Sequence, residues 1–551
     1  MKKYLFLAVA LLGLASCAKD DIANGNNPIH NGEIEESYIA INLSASDVTR
    51  AEGDPVFDDG EEAERAVSHA DFFFFDEAGN PFNVTGNPAT TPGGGINHLK
   101  ATNVTFSKDS EQTDDDDISD TSTPVLLLKT YKGQFPSQIV AVLNWSPDPQ
   151  SYSLDELHTA VAIQGKFRNN DVDKNYFVMS NAVYAQGTNE VCATALTMEN
   201  IKTTETDALA APVNIYVERV AAKVQLNVNQ NAKYEVKTGS VYANILGWDL
   251  YRDNSQSMLL KDIVSTWNND DIGFSWNDSP WYRSYWAASL PAPTNDQIFG
   301  TPLSAGTSTY IGENTTGKAT CTKAVIKAQL VNSANKPLEI AIWNNVEYVD
   351  EVENNESKGG LSLREAVANT LKFTYFAKSG DGSSTTYTGL RPEDLKCVAG
   401  GGEGAPVNVK ANEVYFQLSN EGAAKNWYKL VNGEYIPVAN NINDDTNSVN
   451  ATNEALKSIP SAVLYKNGET FYYVDIKHLG APGKAAEFGI VRNHVYNITI
   501  NSIGGYGSPV YTGVSFLEYP QITEQESFVS AKINILSWRL VNQTVDIQPN
   551  N

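Results

Sequence analysis

The chain has 551 residues, 41% apolar and 19% charged, enough apolar material for more than one folded core. Its 40 basic and 66 acidic residues leave a formal charge of −26, and no basic stripe interrupts the acidity. That excludes nucleic acid and anionic lipid as partners recognised by charge. Gly and Asn are frequent, and Val, Ile, Tyr and Thr recur in short runs, which is the composition of a β-rich extracellular protein. The cysteines, Cys17, Cys192, Cys321 and Cys397, are too widely spaced for a CxxC pair. Once Cys17 is assigned to a leader, they allow one disulfide at most.

The N-terminus, "MKKYLFLAVALLGLASC", reads as an export signal. Lys2 and Lys3 form the positive start, and Leu5 to Leu14 is apolar but too short to span a bilayer. The ending "LASC" resembles a bacterial lipobox. That resemblance implies removal of residues 1–16 and acylation of Cys17, with two or more chains giving stable anchoring. An ordinary secretory signal with an incidental cysteine is the alternative. Residues 17–37 are polar and rich in Gly and Asn, and read as a flexible tether.

The first strand follows. "YIAINLSA" places Ile39, Ile41, Leu43 and Ala45 on one face, and Tyr38, Ala40, Asn42 and Ser44 on the other, the period of a half-buried strand. It leads into Arg50, Ala51 and the acidic loop "EGDPVFDDGEEAER". "ADFFFF", "TPVLLLKTY" and "SQIVAVLNW" are the next strands. In "APVNIYVERVAAKVQLNV", Val213, Ile215 and Val217 share a face, and then Val220, Ala222, Val224 and Leu226 do. The phase flips near Arg219, as a β-bulge or a crossing between sheets requires. The first domain, 51–235, is expected to end soon after.

The second domain, 236–551, opens with an aromatic-rich loop holding Trp276, Trp281 and Trp286. The strands "KAVIKAQLV", "EVYFQLS", "ETFYYVDIKHL" and "HVYNITINSI" follow, and "LSLREAVANTLKFTYF" is one of few helical patterns. "NILGWDL" at 244–250 and "NILSWRL" at 534–540 match at five of seven positions, either by coincidence or as equivalent strands of related sandwiches. In the tail, Leu540, Val545 and Ile547 give a strand-like pattern that the polar "NQT" interrupts as a hinge. Many short strands separated by turn signals predict β-sandwich domains.

Taken together, "LASC", "TR-A" at 49–51, "VERVAAKV", "YYVDIKH", "IVRNHVYNITINSI" and "ILSWRLVNQTVDI" resemble the Mfa-type fimbrillins of Bacteroidales type V pili. The resemblance implies a mainly β fold of two transthyretin-like β-sandwich domains with few short helices. It also implies assembly. The precursor reaches the outer membrane as a lipoprotein, and an arginine-specific protease cuts between Arg50 and Ala51. The removable strand 38–50, carrying Ile39, Ile41, Leu43 and Ala45, leaves a groove. The donor strand of another copy, carrying Leu540, Val545 and Ile547, fills it. Partners are other copies, accessory fimbrillins and an adhesion ligand on a host or bacterial surface. Arg65 competes as a cut site, but the intact strand upstream and the small Ala51 favour Arg50.

Without the family, strand removal still exposes unpaired backbone and an apolar trench, and strand addition satisfies both. No catalytic set emerges from His69, His98, His478 and His494, and no cofactor or metal is expected. "NDDTNSVNATNE" spaces Asn443, Asp445, Asn447 and Glu454 like a calcium loop, but lacks the sixth-position glycine and flanking helices. Trp276, Trp281 and Trp286 are read as loop packing, with glycan stacking as the alternative. The rivals to a shaft subunit are therefore a lipid-anchored glycan-binding protein and a tip or accessory fimbrillin.

Overall fold

The computed structural model describes residues 34–44, 57–58, 61, 64, 66–84, 95–102, 104, 107–108, 120–122, 124–131, 133–164, 168–169, 176–186, 189–228, 232–262, 302–315, 317–351, 362–410, 413–439, 448–478, 487–510 and 538–547. It is mainly β, with a few short helices. The first sandwich is built on Ala70–Phe75 and Gln138–Leu143, apolar runs buried along almost their whole length. Around them the sheet runs His98–Ala101, Ala70–Phe75, Gln138–Leu143, Met179–Asn181, β5 (Val213–Arg219), β1 (Ile34–Ser44), β3 (Asp120–Ser122) and Ser107–Lys108. Off this path, β4 (Val125–Tyr131) pairs with β1.

The phase flip at Arg219 is the passage from one core to another. β5 buries alternate residues in the first core up to Val220 and Ala221; β6 (Ala222–Asn227) starts the second with Ala222, Val224 and Leu226. The cores therefore change hands between Ala221 and Ala222, upstream of residue 235. Two residues of backbone suffice because the chain keeps its direction while its buried face turns over.

The second sandwich has two five-stranded sheets. One runs β2 (Phe57–Asp58), β9 (Trp538–Ile547), β8 (His494–Ile503), β6 and β7 (Ser308–Ile311). The other runs Lys233–Lys237, Val241–Tyr251, Lys323–Val331, Glu469–Asp475 and Ser508–Pro509. The two "NIL-W-L" copies therefore occupy different sheets and are not equivalent strands; residues 534–537 of the second lie outside the described residues. Gly247, in the first copy, sits at a register shift with φ 157, and a Cβ there would lie 2.6 Å from Pro302 Cβ. The serine of the second copy would not fit that site.

A third core, not foreseen from the sequence, forms within the second half. Leu338–Trp343, Ala462–Tyr465, Glu413–Leu418 and Leu395–Ala399 make most of one sheet, and Tyr375–Ser379 and Asn426–Val431 the centre of another. Trp427, Phe416, Leu395 and Leu456 fill the space between. The helix Leu363–Leu371 matches the helical pattern seen in the sequence. Ser362 and Glu365 cap it reciprocally, each side chain taking the other's backbone N–H.

Candidate functional site

β1 enters the first sandwich in two halves. Residues 34–40 run antiparallel to β4, and residues 41–44 run parallel to β5. β3 closes the other side of Leu43 and Ser44, and the Ile41 amide donates to the Pro124 carbonyl at 2.9 Å. Ile39 and Ile41 are 0% exposed and share a core with Phe72, Phe74, Leu128 and Ile215. Ala40, on the opposite face, is also 0% exposed, and Ser37 is buried. The strand is thus covered on both faces near its middle rather than half-buried, and the helix Glu205–Leu209 packs against β1 and β4. Among the described residues β1 is the only strand paired with β4. Leu43 is placed by its backbone opposite Ile215. Ala45, Cys17, Arg50, Ala51 and Arg65 lie outside the described residues.

The tail forms β9, which lies parallel to β8 from His494↔Arg539 to Ile503↔Ile547. Leu540, Val545 and Ile547 stand opposite Val495, Ile500 and Ile503. The strand runs through Asn542, Gln543 and Thr544 without a break, so the expected hinge is absent there. A register shift falls instead on β8, between Ile500 and Ser502. On its other side β9 pairs only through Trp538 and Arg539, with Asp58 and Phe57 of β2. From Leu540 onward it is an edge strand among the described residues.

Between the two sandwiches lies a buried ionic junction. The segments "VERVAAKV" and "IVRNHVYN" supply Glu218, Arg219, Lys223 and Arg492, and Glu64, Lys261 and Glu313 complete its charged members. Glu64, 0% exposed, accepts from Lys223 Nζ at 2.7 Å and from the Tyr310 hydroxyl. Burial pushes its carboxyl up, but the hydrogen bonds from Lys223 and Tyr310 and the Lys223 charge outweigh that and hold it below the usual carboxylate value. Arg219 Nε donates to the Glu64 carbonyl at 2.7 Å, and its Nη1 donates to Asn493 Oδ1 at 3.1 Å. Asn493 takes a left-handed φ of 56, which asparagine tolerates, and its amide donates to the Ala221 carbonyl at 2.7 Å. Arg492, 0% exposed, pairs with Glu313 Oε2 at 2.6 Å and donates to the Met258 and Leu259 carbonyls. Lys261 Nζ lies 3.4 Å from Glu218.

This junction was missed in the sequence. One signal was available: strand alternation from Val213, Ile215 and Val217 puts Arg219 on the buried face, where a charge needs a partner.

The remaining candidates are placed elsewhere. His69, His98, His478 and His494 are all buried; His69 bonds the Trp145 carbonyl at 2.7 Å, and His478 meets the Tyr496 hydroxyl at 3.0 Å. Glu454 lies on the helix Ser448–Leu456 and pairs with Lys457 at 2.8 Å; the other three residues of the calcium-like pattern are outside the description. Cys321 and Cys397 are free thiols. Burial pushes Cys321 and Cys397 up to about 12. Trp276, Trp281 and Trp286 are outside the described residues. A cleft of about 350 Å³ opens on the third core, lined by Lys372, Phe373, Phe376 and Arg391 among others. Phe373 is 76% exposed. Beside it Tyr435 meets Phe376 edge-on at 5.0 Å and stacks on Tyr387 at 3.8 Å.

Residues 463–544, which span β8 and most of β9, match the family model described as major fimbrial subunit protein type IV, fimbrillin, C-terminal. No curated protein matches the chain. Among solved structures, the chain is similar to a fimbrial assembly protein from Parabacteroides distasonis, at 11% identity over 59% of this chain and 98% of that one, with a TM-score of 0.28. It is also similar to the tip fimbrial protein Mfa3 from Porphyromonas gingivalis with a C-terminal truncation, at 12% identity over 70% of this chain and 99% of that one, with a TM-score of 0.25.

Proposed function

We propose that the chain, whose residues 463–544 match the fimbrillin C-terminal model, is a subunit of a cell-surface fimbrium, and specifically an Mfa-type shaft subunit that polymerises by strand exchange. In this reading it is made as an outer-membrane lipoprotein on Cys17 and cut by an arginine-specific protease between Arg50 and Ala51. β1 then leaves, and β9 of another copy takes its place. The role is structural rather than catalytic.

One observation carries the reading: β1, the first described strand, is buried on both faces near its middle, and the strand it pairs with over residues 125–131 has no other described strand partner. Losing β1 would strip β4 of its strand partner, leaving the Lys129 amide bonded to the Val84 carbonyl, and empty the sites of Ile39 and Ile41. Each buried aliphatic contributes roughly 1.5–3 kcal/mol, and each ladder hydrogen bond roughly 0.5–1.5 kcal/mol net. A strand with alternating apolar residues recovers both terms, and Val545 and Ile547 of the tail stand two residues apart as such a pair. The test is Arg50→Ala in cells. Expected are loss of polymer ladders and retention of β1 by mass spectrometry, with the native subunit starting at Ala51. Normal ladders would overturn the reading, and a start at Ala66 would move the cut to Arg65.

The cleft beside Phe373 favours a second, compatible role in adhesion. Lys372 and Arg391 flank aromatic rings there, a setting that suits a sugar ring bearing an acidic group. Saturation-transfer NMR with sialyllactose and lactose checks it. Signal for sialyllactose that Arg391→Ala removes supports the role; equal or no signal removes it.

A further inference from the structure

The segment just past the proposed cut pairs with the tail, and this links the two ends of the chain. β2 holds the base of β9 through Phe57↔Arg539 and Asp58↔Trp538. It stands seven residues after Arg50 and three before Glu61, the near end of the buried junction. The Glu61 amide donates to Glu64 Oε2 at 2.9 Å, and Glu64 is fixed by Lys223, Arg219 and Tyr310. β2 is therefore anchored downstream in the junction and upstream through β1 in the first sandwich.

We propose that β2 and the edge of β8 form a storage dock for the subunit's own tail, and that the cut loosens this dock, so one proteolytic event both opens the acceptor groove and frees the donor. The proposal rests on the cleavage and strand exchange of the preceding subsection. While the chain is intact, twelve residues tie β2 to β1, and the fixed ends hold a two-residue strand that is far too short to persist alone. After the cut the upstream anchor is gone and β2 lies close to a free terminus, where fraying concentrates. Its loss strips the partner from Trp538 and Arg539, the root of the tail. β9 then hangs on one parallel ladder, a pairing slightly weaker per residue than an antiparallel one. The subunit would in this way keep its donor at home until its own groove is open, which suppresses premature pairing between precursors.

Hydrogen exchange on the full chain separates this coupling from the reading beneath it. Three forms are compared at low concentration: uncut Arg50→Ala, freshly cut wild type with its new terminus verified by sequencing, and uncut Arg50→Ala carrying Phe57→Pro and Asp58→Pro. Expected is about tenfold faster exchange in 538–547 on cutting, reproduced by the two prolines without cutting, with 125–131 exposed only in the cut form. Faster exchange in 125–131 with an unchanged tail overturns the coupling and leaves strand removal standing. No change in either region after a verified cut overturns both. Tail exchange that rises on cutting but ignores the prolines removes β2 from the role.

Discussion

The two terminal strands are docked in opposite ways. β1 lies inside its sandwich, with Ile39, Ala40 and Ile41 at 0% exposure and strand partners on both sides of Leu43 and Ser44. β9 lies at the rim of the other sandwich, on one parallel ladder and a two-residue contact at its base. A strand enclosed like β1 leaves only if the chain is cut and the core reopened. A strand placed like β9, held from Leu540 onward by β8 alone among the described residues, can separate by breaking one ladder. The difference fits a division of labour between a plug and a donor.

The largest expected effect tests the plug. Ile39→Ala and Ile41→Ala each remove a fully buried aliphatic from the first core and should each cost the uncut precursor about 2–5 kcal/mol. Thermal unfolding of Arg50→Ala protein with and without the pair measures it. The same substitutions should leave the cut and assembled subunit unchanged, since it no longer holds the strand. Equal destabilisation of both forms would show that β1 stays. Next comes the junction. Glu64→Ala leaves Lys223 buried without its nearest carboxylate, and breaking such a pair costs about 3–5 kcal/mol when one partner is removed. That single loss is smaller than the isoleucine pair together, and it should weaken precursor and cut subunit alike.

Much of the strand inventory was legible because alternation reports which face is buried. "ADFFFF", "KAVIKAQLV" and "HVYNITINSI" all became strands, and the flip at Arg219 marked a real change of core. Alternation does not report partners. Ala40 looked exposed because the sequence cannot say that the helix at 205–209 packs on its strand. The third core escaped for the same reason: its strands read as further members of one sandwich. The junction depends on contacts 155 residues apart for Arg219 and Glu64, and 179 apart for Arg492 and Glu313. Alternation turns Arg219 inward but does not say which distant residue it meets. The two ends therefore differed in legibility too: β1 showed its inward face, whereas the polar "NQT" of β9 suggested a hinge that the backbone ladder spans.

A smaller effect follows from acid. The Glu64 carboxyl sits below its ordinary value of 4.5, so its contribution is fully present above that pH and is lost as pH falls through its lower folded value. Thermal midpoints of wild type and Glu64→Gln should differ by a constant amount at neutral pH and converge as pH falls well below 4.5. β1, whose described core contacts are apolar, should contribute nothing to this difference. A gap that persists to pH 2 would show that the carboxylate charge is not what holds the junction.

The smallest effect on the isolated subunit should come from the tail. Val545→Asp alters one position of a strand that, from Leu540 onward, is held by β8 alone among the described residues, opposite Ile500. The thermal midpoint of the uncut precursor should move less than it does for Glu64→Ala. In the assembled state the same side chain would have to enter the trench that Ile39 and Ile41 vacate, and an unpaired carboxylate there is strongly unfavourable. Polymer ladders should therefore disappear while the monomer remains folded and is cut normally. Ladders that survive Val545→Asp would mean that another part of the tail fills the groove; a precursor that unfolds would mean that β9 is as much a part of its own sandwich as β1 is of the other.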